Sequence, residues 1–300
     1  MIARLVEMIL GPLQYPFMVR GLIAATLVGA TCAVMGSYVV LRGLAFLGDA
    51  LAHAILPGVA LGYLVSGGDR AAVFVWALAT AILTSIGIGA ISERSKLRED
   101  TAVGILFAGM FALGIALMST MRNYAVDITH LLFGDVLGVS AADLWFTAAV
   151  SAVVIILVLA TYKELLILTF DPLLAATLRL PTRALHYLLL VLIALAVVVS
   201  LRTVGIALMV AMLVTPAATA SLLTRRFGRM MAISALLGAL SGVIGLYASF
   251  YVRVASGAAV VLTCTAFFVL ALLIAPERGL LWRHRRAMPG EANQGQGTTL

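Results

Sequence analysis

The chain has 300 residues, of which 63% are hydrophobic and only 11% are charged, with a formal net charge of +7. A soluble domain has about 45–50% apolar and about 25% charged residues, so lipid must cover part of this apolar surface. The composition excludes a soluble enzyme. The basic residues do not indicate a nucleic-acid partner either, because they lie in short clusters between apolar runs, as in membrane loops.

Apolar runs long enough to cross a bilayer recur along the chain. Crossing a hydrocarbon core of about 30 Å takes about 20 apolar residues in a helix, and lipid leaves no unpaired backbone groups. We therefore predict an all-α integral membrane protein, a polytopic bundle of about nine transmembrane helices (eight to ten) within residues 20–278, after an interfacial lead-in at residues 1–19. The predicted spans are 20–41, 43–64, 71–91, 101–121, 143–161, 184–200, 203–223, 230–247 and 254–275.

Basic loop residues predict the orientation. With the loop Ser92–Asp100 in the cytoplasm, most of the lysines and arginines lie inside and the C-terminus is cytoplasmic. The polar, Gly-rich tail at residues 279–300 is predicted to be disordered. The longest polar stretch, Thr161–Arg183, also falls inside. It is either an interfacial helix on lipid headgroups or a docking element for a cytoplasmic partner.

The second span carries two polar residues, Asp49 and His53, four positions apart and so on one helix face. A carboxylate at this depth costs about 2.5–3.5 kcal/mol and needs a partner. Pro57 leaves the carbonyl of His53 without its helical donor, and Gly58 lets the backbone bend or approach a neighbour. The pair suits a divalent cation such as zinc or manganese, or a proton relay; the structural alternative is a hydrogen bond that locks two helices.

A similar segment occurs in the second half of the chain. Leu-Arg precedes a proline by about 15 residues in both places, Arg42 with Pro57 and Arg202 with Pro216. Proline-interrupted segments at matching places in inverted halves are typical of a substrate pathway, so we predict an inverted-repeat fold with helix breaks at Pro57, Gly58 and Pro216. Met212 then occupies the place of His53.

Other features receive simpler interpretations. Asp127 and His130 are expected to be solvated in an outer loop, with a vestibular cation site as the alternative. Gly238 with Gly242, and more loosely Gly104 with Ala108, predict helix-packing seams. His186 looks like an ordinary interfacial residue. No GxxxxGK[ST], HExxH or GxSxG motif occurs, so no enzyme activity is predicted and any ATP hydrolysis belongs to another subunit.

Several segments together resemble the membrane permeases of ABC importers for zinc, manganese and related divalent metals. The similar segments are Gly36–Arg42, Gly48–His53, Leu56–Gly58, Leu131–Asp135, Phe170–Pro172 with Ala175, Val204–Ile206 and Leu213–Ala218. The resemblance covers about residues 15–275. One departure is that Arg179-Leu180 stand where the family often has a glycine shortly before Pro181.

The resemblance implies a role for the matching residues. Asp49 and His53 would line the permeation path and coordinate the metal. Phe170, Asp171, Pro172 and Ala175 would form the coupling helix that docks on the ATPase. The resemblance also implies a homodimer in the bacterial inner membrane, two ATPase subunits, an extracytoplasmic metal-binding protein and alternating access, with no permanently bound cofactor.

Three alternatives stay open from the residues themselves. A proton-coupled secondary metal transporter would use Asp49 and His53 as its relay. An intramembrane enzyme would need a second buried carboxylate or a nucleophile, and a structural scaffold would not depend on Asp49. A site made of Asp49 and His53 could bind zinc or manganese, and the intrinsic order of metal affinities favours zinc.

Overall fold

A computed structural model describes residues 10–67, 69–120 and 136–275 of the chain. Within these ranges, nine helices are long and apolar enough to cross a membrane, which confirms the predicted all-α bundle. They are Pro16–Leu41, Leu47–Ser66, Ala71–Ser95, Glu99–Ser119, Ala141–Ala160, Thr182–Leu201, Ile206–Leu223, Phe227–Val252 and Ser256–Ile274. The first of these nine spans begins at Pro16, within the predicted lead-in, and the tail at residues 279–300 lies outside the described residues.

From Pro16 onward, twelve α-helices in the described ranges make up these spans and their connections. In chain order they are α1 Pro16–Leu41, α2 Leu47–Ala54, α3 Leu56–Ser66, α4 Arg70–Ser95, α5 Glu99–Ser119, α6 Ala141–Ala160, α7 Tyr162–Phe170, α8 Pro172–Thr177, α9 Thr182–Val204, α10 Ile206–Leu223, α11 Phe227–Val252 and α12 Ser256–Ile274. A short 3₁₀ turn, Val136–Gly138, precedes α6.

Glycines in left-handed or otherwise positive-φ backbone set the two tight junctions. Gly43 (φ 70°) ends α1 in a Schellman motif, in which Leu44 N–H donates to Val39 O at 2.9 Å. The second span consequently starts at Leu47, later than predicted. The later junction lies at Gly205 (φ 79°), not at 201–202, because the preceding helix continues to Val204 and a glycine can adopt this positive φ.

The two proline segments differ in shape. The second span is interrupted at Ile55, between α2 and α3, and Pro57 lies in the first turn of α3. The predicted break at Pro216 is wrong, since Pro216 lies inside α10, which continues to Leu223. Proline removes one helical hydrogen bond, but a helix packed among neighbours in a membrane protein can continue through it.

Glycines bring α1 close to two other helices. A Cβ on Gly29 would lie 2.5 Å from the carbonyl oxygen of Gly238, and a Cβ on Gly36 would overlap the carbonyl of Leu213. The predicted seam at Gly238 and Gly242 is therefore confirmed, between α1 and α11. The looser seam at Gly104 is wrong within this chain, because nothing in the described ranges lies within 4 Å of a Cβ placed there.

Candidate functional site

Asp49 and His53 lie on one face of the short helix α2. The His53 Nδ1 atom is 3.6 Å from Asp49 Oδ1, and the two side chains are 23% and 36% exposed for His53 and Asp49, respectively. Asp49 occupies the first turn of α2, where the helix dipole favours a carboxylate, and His53 lies in its last turn. The pair is therefore close enough to act together and open enough to reach an ion.

The backbone fixes which imidazole nitrogen is available. His53 Nδ1 lies 3.0 Å from the carbonyl oxygen of Asp49. A carbonyl can only accept, so a hydrogen bond here places the proton on Nδ1. In the neutral ring Nε2 then carries the free lone pair, as in metal-binding histidines whose other nitrogen is held by an acceptor.

Two phenylalanine rings of α5 pack against the imidazole of His53. The centroids of Phe107 and Phe111 lie 6.0 Å and 5.7 Å from that of His53, both edge-to-face, and Phe46 packs on Phe107 at 5.5 Å. Such contacts orient the ring and exclude water from one side of it. Reasoning from sequence missed both α5 phenylalanines, because they lie in an ordinary apolar span; only an aromatic i, i+4 spacing could have drawn attention to them.

Three glycines let neighbouring helices approach the interrupted span. A Cβ on Gly48 would collide with the side chain of Leu213 in α10, and one on Gly58 would lie 2.5 Å from the carbonyl oxygen of Trp76 in α4. On α5, a Cβ at Gly114 would lie 2.6 Å from Leu56 Cβ. The helix break is thus held from three sides, which fixes where α2 presents Asp49 and His53.

One chain supplies only a partial ligand set. No group of three or more His, Cys, Asp and Glu side chains is close enough to hold a metal ion within residues 10–67, 69–120 and 136–275. One carboxylate and one imidazole can bind a divalent cation weakly or pass a proton. Met212 is buried in the hydrophobic core. Asp127, His130 and the segment Leu131–Asp135 lie outside the described residues.

The predicted coupling segment forms two short helices joined at Asp171. Its carboxylate accepts hydrogen bonds from the backbone N–H groups of Leu173 and Leu174 at 3.0 Å and 2.9 Å, which caps α8. Ala175 is buried, whereas Phe170 and Leu173 are 61% and 77% exposed. The segment therefore presents large apolar side chains on a capped, anchored helix.

Arg179 adopts the conformation that the family's glycine would favour. Its φ is 56°, and it ends α8 in a Schellman motif, with Leu180 N–H donating to Ala175 O at 3.1 Å. The turn therefore forms with Arg179 in place of the family's glycine, although a side chain in left-handed backbone is strained.

A second polar cluster joins three helix ends and was not predicted. Arg42 Nη2 lies 3.5 Å from Glu99 Oε1 and 3.3 Å from His186 Nδ1. His186 is only 8% exposed, so its interpretation as an ordinary interfacial residue is wrong. Nothing in the sequence spacing connects these residues, which come from α5, α9 and the residue that ends α1.

Comparison with known proteins identifies the family. The model of the ABC 3 transport family matches residues 14–275. The chain belongs to the ABC 3 transport family. Among curated relatives, it is 44% identical over 278 residues to "Manganese transport system membrane protein MntC" of Halalkalibacterium halodurans, covering 92% of this chain and 94% of the relative.

Two further proteins are similar to this chain over most of its length. A "Probable iron transport system membrane protein" of Haemophilus influenzae is 40% identical over 266 residues, covering 89% of this chain and 96% of the relative. The solved structure "PsaBC from Streptococcus pneumoniae in complex with Fab" is 38% identical, with a TM-score of 0.79, covering 96% of this chain and 99% of that chain. These matches confirm the resemblance to metal ABC importer permeases. They also confirm the prediction of a multi-pass protein in the bacterial inner membrane.

Proposed function

We propose that this permease moves a divalent metal ion, manganese first, into the cytoplasm in an ATP-driven cycle, with Asp49 and His53 as the ligands in its path. The observation that carries the proposal is the open α2 face, where Asp49 Oδ1 and His53 Nδ1 lie 3.6 Å apart and Nδ1 is held by a backbone carbonyl. A moderate ligand set suits a site that must release its ion.

The cargo is proposed from chemistry and from the relatives' names together. Relatives are named for manganese and for iron, and none of the three cited above is named for zinc. Zinc usually takes four ligands, whereas manganese prefers six, mostly oxygen. Two copies of the Asp49–His53 pair would fill the zinc shell but leave positions for water on manganese, which favours release of manganese. The preference for zinc drawn from intrinsic affinity stays an untested prediction.

The ligand count supports a permease homodimer. A single chain brings two ligands to the α2 face, and α5 beside it exposes Ile105, Leu113 and Ile115. Gly104 and Gly109 also have open space where a Cβ would stand. A second copy meeting this face would complete the ligand set and cover the apolar surface of α5.

The capped segment around α8 is proposed as the docking site for the ATPase subunits. Phe170, Leu173 and Leu178 are exposed, while Ala175 is buried and the Asp171 carboxylate caps the start of the helix. A rigid helix with an apolar outer face can enter a groove on a partner and transmit its movement. An extracytoplasmic metal-binding protein would deliver the ion at the opposite face.

The deciding experiment measures radiolabelled manganese uptake into proteoliposomes that contain the permease with its ATPase and metal-binding protein. Asp49→Ala and His53→Ala are each expected to abolish uptake, because each removes a ligand. Asp100→Ala, an exposed carboxylate at the start of α5, is the matched control and should transport normally. Normal uptake by both site variants would refute the assignment.

Energy supply separates the proposal from a proton-coupled secondary transporter. Family membership favours ATP, and a proton-coupled carrier would need no partner subunit. We expect uptake to stop when ATP is withheld and to continue when an uncoupler dissipates the proton gradient. The reverse pattern would support the secondary transporter.

A further inference from the structure

The three-residue cluster of Arg42, Glu99 and His186 lies at the start of the metal-site helix. Arg42 follows the last residue of α1, and only the turn Gly43–Phe46 separates it from α2. The side chains of Arg42 and His186 are 12% and 11% exposed, and that of Glu99 is 26% exposed. The cluster is therefore a mostly buried, charged contact that lies just before α2 in the chain.

The hydrogen-bond chemistry of this cluster makes Arg42 its centre. Guanidinium nitrogens only donate, so Arg42 Nη2 can give one hydrogen to Glu99 Oε1 and the other to His186 Nδ1. His186 then accepts as a neutral ring protonated on Nε2. Losing either partner would leave a hydrogen of Arg42 Nη2 unpaired in addition to Nη1, which is buried and has no hydrogen-bond partner among the described residues.

The two partners of Arg42, Glu99 and His186, lie on helices that lead to different parts of the molecule. Glu99 begins α5, the helix whose Phe107 and Phe111 rings contact His53. His186 lies in the first two turns of α9, which follows the Arg179 turn and so is the direct continuation of the coupling segment. Arg42 therefore joins the metal-site helix to both the aromatic wall and the coupling segment.

A second route reaches the same turn of α1 through aromatic rings. Phe170 of the coupling segment contacts Phe227 at 6.2 Å, and Phe227 contacts Tyr38 at 4.9 Å, edge-to-face. Tyr38 is fully buried and lies one helical turn before Arg42. Movement of the coupling segment can thus reach the end of α1 from two sides.

We infer that Arg42, with Glu99 and His186, is a positioning group that transmits movement of the coupling segment to helix α2 and so couples ATP hydrolysis to metal passage. The inference rests on the proposed function as an ATP-driven importer. Arg42 does not touch the ion; it sets where α2 stands relative to α5 and α9. Breaking the cluster should let the ATPase run while α2 no longer follows it.

The test uses the complete transporter in proteoliposomes and measures manganese imported per ATP hydrolysed. Arg42→Gln and Glu99→Gln are each expected to keep ATP hydrolysis and equilibrium manganese binding near the parent values while the transport ratio falls by about tenfold, as expected for loss of a coupling free energy. Arg42→Lys, which keeps the charge, should retain part of the ratio. Arg94→Gln removes an exposed arginine from α4 and should leave the ratio unchanged.

Two results would overturn the inference. One is a transport ratio in both Arg42→Gln and Glu99→Gln equal to that of Arg94→Gln. The other is a parallel fall of assembly, ATP hydrolysis and uptake with an unchanged ratio, which is the behaviour of a purely structural contact. Failure of the proposed function is distinguishable, because it would appear as normal manganese import by Asp49→Ala in the same vesicles.

Discussion

Two polar clusters, one on α2 and one just before it in the chain, each contain a carboxylate and a histidine. They differ in how exposed these side chains are. Asp49 and His53 are partly exposed, and the contact of His53 Nδ1 with a backbone carbonyl leaves Nε2 for another partner. Arg42, Glu99 and His186 are mostly buried and contact one another through Arg42 Nη2, while Arg42 Nη1 is buried without a hydrogen-bond partner in the part of the chain that the structure describes. A site for a passing ion needs ligands with unused lone pairs, whereas a structural contact between helices uses its polar groups on one another.

The two imidazoles provide the sharpest test of this difference. His53→Ala is expected to weaken manganese binding on the order of 100-fold, since a direct ligand matters at least as much as the outer partners of a metal site. His186→Ala should leave binding unchanged, because its Nδ1 is already occupied by Arg42. Equilibrium binding of radiolabelled manganese to the purified transporter would show this, and equal losses in both variants would remove the distinction.

For the stability of the folded protein we expect the opposite: substitutions in the buried cluster should matter more than substitutions in the Asp49–His53 pair. Glu99→Ala leaves a mostly buried donor of Arg42 without its carboxylate partner. We expect this substitution to lower the free energy of unfolding by about 1–3 kcal/mol. Asp49→Ala should be neutral or slightly stabilising, because a carboxylate at membrane depth is costly and its contact with His53 Nδ1 is long, at 3.6 Å. Apparent melting temperatures in detergent compare the two, and a larger loss for Asp49→Ala would contradict the division between the open site and the buried cluster.

The aromatic wall should have a smaller effect on the open site. Phe111→Leu keeps most of the volume but removes an edge-to-face contact with His53, and up to about a tenfold loss of manganese affinity is expected. Phe268→Leu, the same change on α12, is the control. Equal affinities in the two variants would mean that the ring does not orient His53.

The smallest effect is expected at the turn that ends α8. Arg179→Gly relieves left-handed backbone and should stabilise the chain by no more than about 1 kcal/mol. Arg179→Val places a β-branched side chain there and should destabilise it. Thermal unfolding of the two variants measures the difference; an Arg179→Val protein as stable as Arg179→Gly would show that the turn relaxes freely.

Much of the architecture was predictable because lipid imposes local rules. The nine spans follow from stretches of apolar residues, since every backbone group in the membrane must find its partner within its own helix. The Gly238 seam was likewise readable from spacing. The exact ends were not, because Gly43 and Gly205 set the junctions through positive φ, and Pro216 was misread as a break in a helix that its neighbours keep continuous.

The sequence by itself determined the membrane class, the helical periodicity and the single face shared by Asp49 and His53, because these depend on composition and on residues within one or two helical turns. Only the tertiary structure brought Phe107 and Phe111 to His53, and Glu99 and His186 to Arg42. Those contacts join residues 54 to 144 positions apart in the chain, and such distances are set by how helices pack, which no local pattern encodes.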